Sequence, residues 1–162
     1  MKKILALLII TAIAIGGYFY MQNQQQSDEM PEFSKIYNSQ ADAESDLNFA
    51  IAIAKEQNKH ILLEVGGDWC PWCRAFDKFV KDNSQVNEYL NDNYVLVKVY
   101  YGKGNYNGKF LAGFPRLIAT PHFYTLDSEG SVLKSQGSEV LEKGRSYDAL
   151  KVMAFLQKYS KK

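Results

Sequence analysis

The sequence is poor in cysteine, histidine and proline, with two Cys, two His and four Pro in 162 residues. Two cysteines cannot staple a disulfide-dense miniature domain. Two cysteines and two scattered histidines are also a poor start for a four-ligand metal centre. No sign of charge dominates. Nineteen Lys and Arg stand against eighteen Asp and Glu, for a net charge of +1. The two signs are interspersed, which argues against a nucleic-acid face. What the chain does have is aromatic side chains, eleven Tyr and nine Phe, enough for a core without staples.

One long apolar run exists, at the amino terminus. Lys2 and Lys3 precede Ile4 to Met21, and no charge returns until Asp28. This is the pattern of an export signal or a membrane anchor, and its length of about 18 residues is the lower limit for spanning a bilayer. Ala12-Ile13-Ala14 would serve as a cleavage site. The apolar stretch nevertheless continues through Tyr18 and Tyr20, which suit a membrane interface. Cleaved or retained, residues 1–21 place the remainder outside the cytoplasm. Residues 22–32, with three consecutive Gln, read as a polar linker. Residues 33–162 read as one domain.

The two cysteines sit together in Trp69-Cys70-Pro71-Trp72-Cys73. His60 to Val65 ahead of them is a short apolar strand closed by Gly66-Gly67. Arg74 to Lys81 behind them has Phe76, Phe79 and Val80 on one helical side. The pair therefore lies where a strand hands over to a helix. Pro71 suits the first helical turn, which puts Cys70 at the N-cap and Cys73 one turn inside. Free N–H groups at a helix N-terminus favour a thiolate. Cys70 is thus the expected nucleophile, and Cys73 the resolving thiol able to close a disulfide with it. A purely structural Cys70–Cys73 disulfide would stabilise little, because its loop is so small. Metal binding, copper above all, through the cysteines and a histidine is the alternative.

The rest of the chain supplies a frame. Phe33 to Tyr37 reads as a short edge strand. A helix is expected from about Ala41 to Asn58, with a capping signal at Ser39 to Asp42. Val86, Tyr89 and Leu90 suggest a short helix, and Tyr94 to Tyr100 a strand. Tyr101 to Ala119 is loop-like and reads as a plain insertion or a lid. His122 to Leu126 is a strand, Asp127 to Gly130 a turn, and Ser131 to Ser135 its hairpin partner. Leu141 to Gly144 reads as a loop. A last helix spans about Ser146 to Tyr159, with Leu150, Met153 and Ala154 as buried candidates. The order predicts an α/β domain, a mixed sheet covered by helices on both faces.

With these features the chain resembles the thioredoxin-like superfamily, and most of all its small exported members with an N-terminal signal or anchor. The likeness rests on Trp-Cys-Pro-Trp-Cys at a strand-to-helix junction, on Thr120-Pro121 opening a strand, and on the closing hairpin and helix. It implies a thioredoxin-like fold with Cys70 as the exposed nucleophile and Cys73 as the buried partner. It implies that Pro121 is cis and faces the pair, and that the Thr120 backbone pairs with an extended substrate. It implies that Glu64 is a buried acid moving the Cys73 proton. A carboxyl in an apolar strand should have a raised pKa, which suits that task. Lys98 is expected to pair with Glu64 or to lie as a surface lysine.

The Pro71-Trp72 dipeptide differs from the Gly-Pro of cytoplasmic thioredoxins and lacks the histidine of strongly oxidising members. That favours a reductant. Trp72 would widen the apolar rim where a partner docks, or pack against the loop after Tyr101. Trp69 reads as support for the active loop, and His122 as a satisfied strand residue. The function expected is a thiol–disulfide oxidoreductase on the periplasmic side of a bacterial cytoplasmic membrane. Its partners would be exported proteins carrying disulfides or thiols, and a membrane dithiol that donates or accepts electrons. The cysteine pair is itself the redox group, so neither a cofactor nor a metal is expected.

Overall fold

A computed structural model describes residues 31–161. The expected export or anchor segment, residues 1–21, and nearly all of the expected linker lie outside the described residues. Among the described residues no helix is long and apolar enough to cross a membrane.

Four strands form the sheet: β1 (His60–Gly66), β2 (Tyr94–Tyr100), β3 (His122–Leu126) and β4 (Val132–Gly137), in the order β2-β1-β3-β4. β1 runs parallel to β2 and antiparallel to β3, and β3 and β4 form an antiparallel hairpin. The sheet is therefore mixed, as the sequence predicts. β1 lies in its interior, and all its residues from Ile61 to Gly66 are buried. Side chains alternate across a strand, so β1 feeds two cores. Ile61, Leu63 and Val65 join Val97, Tyr124 and helix α2 (Ala43–Gln57) through Ala50 and Ala54. Leu62 joins Phe123 and three helices: α3 (Pro71–Asp82), α4 (Ser84–Asn93) and α6 (Ala149–Tyr159).

Helix starts follow capping chemistry. The Asp42 side chain accepts from the N–H groups of Glu44 and Ser45, and α2 ends where Asn58 turns left-handed at φ 57°. Asp148 caps α6 in the same way. A side-chain oxygen at the N-cap takes up N–H groups that have no partner inside the helix.

Several expectations need correction. Residues Phe33 to Tyr37 contain no strand; Glu32–Lys35 is a single helical turn, α1. The Ser34 hydroxyl donates to the Leu96 carbonyl, which ties this turn to β2. The 101–119 stretch is more than a loop. It holds an isolated bridge between Gly102 and Asn105 and the short helix α5 (Gly108–Leu111). Its Phe110, Leu111, Phe114 and Leu117 pack on the α2-side core. Leu141 to Gly144 joins a 3₁₀ turn, Ser138–Leu141, to a small hairpin of β5 (Glu142–Lys143) and β6 (Ser146–Tyr147). In α6 the buried set is Val152, Phe155 and Leu156; Met153 packs against that core half-buried, as expected, while Leu150 is 83% exposed and Ala154 also faces out. Both sets have helical spacing. The bulkier one takes the core because it removes more apolar surface from water.

Candidate active site

Cys70 is the N-cap of α3 and Pro71 its first residue. The Cys73 N–H donates to Cys70 Sγ at 3.3 Å. The Cys70 thiol donates in turn to the Thr120 carbonyl at 3.4 Å, and the Thr120–Pro121 peptide is cis. Strand β1, helix α3 and the approach to β3 thus meet at one sulfur. Both cysteines are free thiols.

The expected contrast in exposure is absent. Cys70 is 3% exposed and Cys73 1%. Tyr37 joins both cysteines in one buried cluster, with Trp72 and Tyr100 packed against it. What distinguishes the two sulfurs is their bonding. Burial, followed by the neighbouring Cys70 sulfur, pushes the Cys73 thiol far up, against a smaller opposing effect of the Gly67 backbone. Gly66 is required by close approach: a Cβ there would stand 2.4 Å from Cys73 Sγ.

Glu64 is fully buried on β1. Burial lifts its carboxyl to about 7; Lys98 opposes the rise, Asp77 adds to it, and the Tyr37 hydroxyl opposes it. Neither carboxyl oxygen has a formed hydrogen bond, and nor does the Tyr37 hydroxyl. Lys98 stands opposite Glu64 in the β1–β2 register, yet its Nζ bonds Asp77 Oδ1 on α3. The expected Glu64–Lys98 pair is thus an ion pair between Lys98 and Asp77, with Glu64 alongside. Neither Asp77 nor Tyr37 was singled out in the sequence. Asp77 had a signal, since it follows Cys73 by four residues and shares its helix face. Tyr37 had none, because contact across 36 residues leaves no local trace.

The two tryptophans trade the supports expected of them. The Trp69 indole N–H donates to the Tyr101 carbonyl at 3.1 Å. A Cβ on Gly67 or on Gly102 would each meet Trp69 Nε1 at 2.5 Å. Trp69 therefore helps to fasten the loop after Tyr101, while staying 51% exposed. Trp72 packs edge-on against Tyr147, ring centroids 5.9 Å apart, and its carbonyl accepts from the Tyr147 hydroxyl at 3.1 Å.

The histidines stand apart from the cysteines. His122 packs its ring on Tyr124, a residue of the α2-side core, and its Nε2 pairs with the Ser135 hydroxyl at 2.9 Å. Burial lowers its pKa. His60 Nδ1 pairs with the Tyr159 carbonyl at 2.7 Å. Among the described residues no three His, Cys, Asp or Glu gather as a metal-binding group. The copper alternative therefore has no histidine beside the cysteine pair.

A cysteine pair at a strand-to-helix junction, on a four-stranded mixed sheet beside a cis X-Pro bond, defines a thiol-redox type of domain. The thioredoxin-like family profile matches residues 42–128, over half of the chain, and the chain belongs to that family. Over 70 residues it is 34% identical to the thiol:disulfide interchange protein DsbD of Vibrio cholerae. That match takes in 43% of this chain but only 11% of the Vibrio protein. Among solved structures, the disulphide isomerase of Xylella fastidiosa superimposes with a TM-score of 0.65 at 26% identity, covering 75% of this chain and 94% of that one. The C-terminal domain of Neisseria meningitidis DsbD in the oxidised form shares the fold, with a TM-score of 0.55 at 16% identity over 74% of this chain and 97% of that one.

Proposed function

We propose that this protein is a thiol–disulfide oxidoreductase working through Cys70 and Cys73, run as a reductase on disulfides of exported proteins. The observation that supports it best is the contact set of Cys70 Sγ. The sulfur caps a helix, takes the Cys73 N–H, and lies against the carbonyl that precedes cis-Pro121. Backbone N–H groups aimed at a sulfur favour its thiolate, and the thiolate is the attacking species.

In the proposed cycle the Cys70 thiolate attacks a client disulfide. One client sulfur leaves with the electron pair of the broken bond, and a Cys70–client disulfide remains. Glu64, as carboxylate, takes the proton of the Cys73 thiol. The Cys73 thiolate then attacks Cys70 Sγ, the Cys70–Cys73 bond forms, and the second client sulfur leaves. The client has gained two electrons and the cysteine pair has lost two. A membrane dithiol would restore the pair. The Thr120 backbone would align an extended client strand, and Trp72 would sit at the rim. The amino-terminal segment, as signal or anchor, would hold this chemistry on the periplasmic side. The named activities of the Vibrio and Xylella relatives agree with this class of reaction.

The test is insulin-disulfide reduction. Cys70→Ser should abolish it, and Cys73→Ala should accumulate mixed disulfides with clients. Undiminished reduction by the Cys70→Ser chain would remove the proposal.

A further inference from the structure

Tyr37 lies outside the family profile, which begins at residue 42, and yet it reaches the centre of the site. The residue is 6% exposed. Its hydroxyl and a Cys73 sulfur both crowd Gly66, at 3.2 and 2.4 Å from the position of a Cβ there. Its ring carries the Lys98 ammonium 5.0 Å from the centroid. The segment bearing it is fastened to β2 through Ser34. The ring is thus held from two sides, and its hydroxyl is buried with no bond formed.

Glu64 presents the complementary want: two buried oxygens, neither with a partner. A buried polar group without a hydrogen bond is costly, and a charged one more so. A phenol is suited to a carboxyl that changes its protonation, since it can donate or accept. We propose that the Tyr37 hydroxyl is the positioning partner of Glu64, donating to the carboxylate and accepting from the carboxylic acid once Glu64 has taken the Cys73 proton. The segment ahead of α2 then completes the redox site. This rests on the proposed function for its purpose, but not for its geometry.

The other groups that bear on Glu64 come from each packed element: Lys98 from β2, Asp77 and Cys73 from α3, and Tyr147 from β6. Lys98 is engaged by Asp77, and the Tyr147 hydroxyl by the Trp72 carbonyl. Among the groups that bear on Glu64, Tyr37 is the neutral donor whose hydroxyl has no bond formed. The Tyr37 hydroxyl opposes the rise of the Glu64 pKa, while burial, then Glu64 and Cys73, raise that of Tyr37.

The experiment follows the Glu64 carboxyl by carbon-13 NMR in the reduced full chain, with Glu64→Gln identifying the signal. Tyr37→Phe keeps the ring beneath Lys98 and deletes only the hydroxyl. The Glu64 midpoint should rise by about one pH unit, the shift expected for losing one hydrogen bond to a charged acceptor. The acid limb for release of thionitrobenzoate from its mixed disulfide with Cys70 should move up with it. Substituting 3-fluorotyrosine at position 37, a stronger donor, should move both down, which a packing role would not do. This second chain also decides the matter if Tyr37→Phe does not fold. An unmoved Glu64 midpoint in a folded chain overturns the inference. If the midpoint moves but Cys70→Ser still reduces insulin, the proposed function fails and the role of Tyr37 stands.

Discussion

Lys98 and Glu64 face one another across neighbouring strands, and the lysine bonds elsewhere: its Nζ is held by Asp77. Glu64 is left inside the protein with a cation nearby but not joined to it. That arrangement keeps the carboxyl near 7. A formed ion pair would hold it lower, because an adjacent opposite charge favours the ionised form.

Glu64 should make the fold less stable in alkali. Its pKa is raised in the folded chain from an ordinary 4.5 to about 7. Below 4.5 the carboxyl is neutral in both states, and ionisation contributes no cost. Between 4.5 and 7 the unfolded chain ionises while the folded one still holds its proton, so stability falls as pH rises. Above 7 the full cost, about 3 kcal/mol, is present. His122, lowered by burial, works in the opposite direction. The comparison is therefore between wild type and Glu64→Gln by urea unfolding at pH 4 and pH 8. Glu64→Gln should gain on wild type by roughly that amount at pH 8 relative to pH 4.

Asp77→Asn should lower the Glu64 midpoint. Asp77 raises it directly and also occupies the Lys98 ammonium, and both effects vanish together. A carbon-13 titration of Glu64 checks this, and an upward shift would contradict it. The acid limb of mixed-disulfide resolution should move to lower pH in the same variant.

Gly66→Ala should cost roughly 2 kcal/mol, as overpacking of a tight core does. The new methyl would lie 2.4 Å from Cys73 Sγ. In a Cys73→Ala background the sulfur is gone, so the same substitution should cost much less. Denaturant unfolding of the four chains measures the coupling. Equal costs in both backgrounds would mean that the methyl meets something else.

Trp69→Phe should loosen the stretch after β2 while leaving the sheet intact. It removes the indole bond to the Tyr101 carbonyl, worth about 1 kcal/mol. Faster amide exchange should appear between residues 101 and 107, with no change in β1. Trp72→Phe keeps an aromatic edge toward Tyr147 and should leave that exchange unaltered.

Local chemistry accounts for much that the chain discloses in one dimension. Tyr94–Tyr100 and His122–Leu126 form strands over the residues expected, because β-branched and aromatic runs bounded by breakers have little alternative. Cys70 falls at the helix cap, since Pro71 can only open a helix. Phe33 to Tyr37 is too short for its alternation to decide between turn and strand, and docking on β2 through Ser34 made it a helical turn. Leu150 and Ala154 matched the helical period as well as Phe155 and Leu156 did, so only contact with the sheet could choose between them.

By itself, then, the sequence determined the strands of the main sheet, the helix caps and the placing of two cysteines at a helix start, all consequences of neighbours along the chain. Tertiary structure alone decided which cation meets which carboxylate, how deeply Cys70 is buried, and that Tyr37 stands beside Glu64. Those depend on distances between segments dozens of residues apart, and packing sets such distances without leaving a periodic mark on the chain.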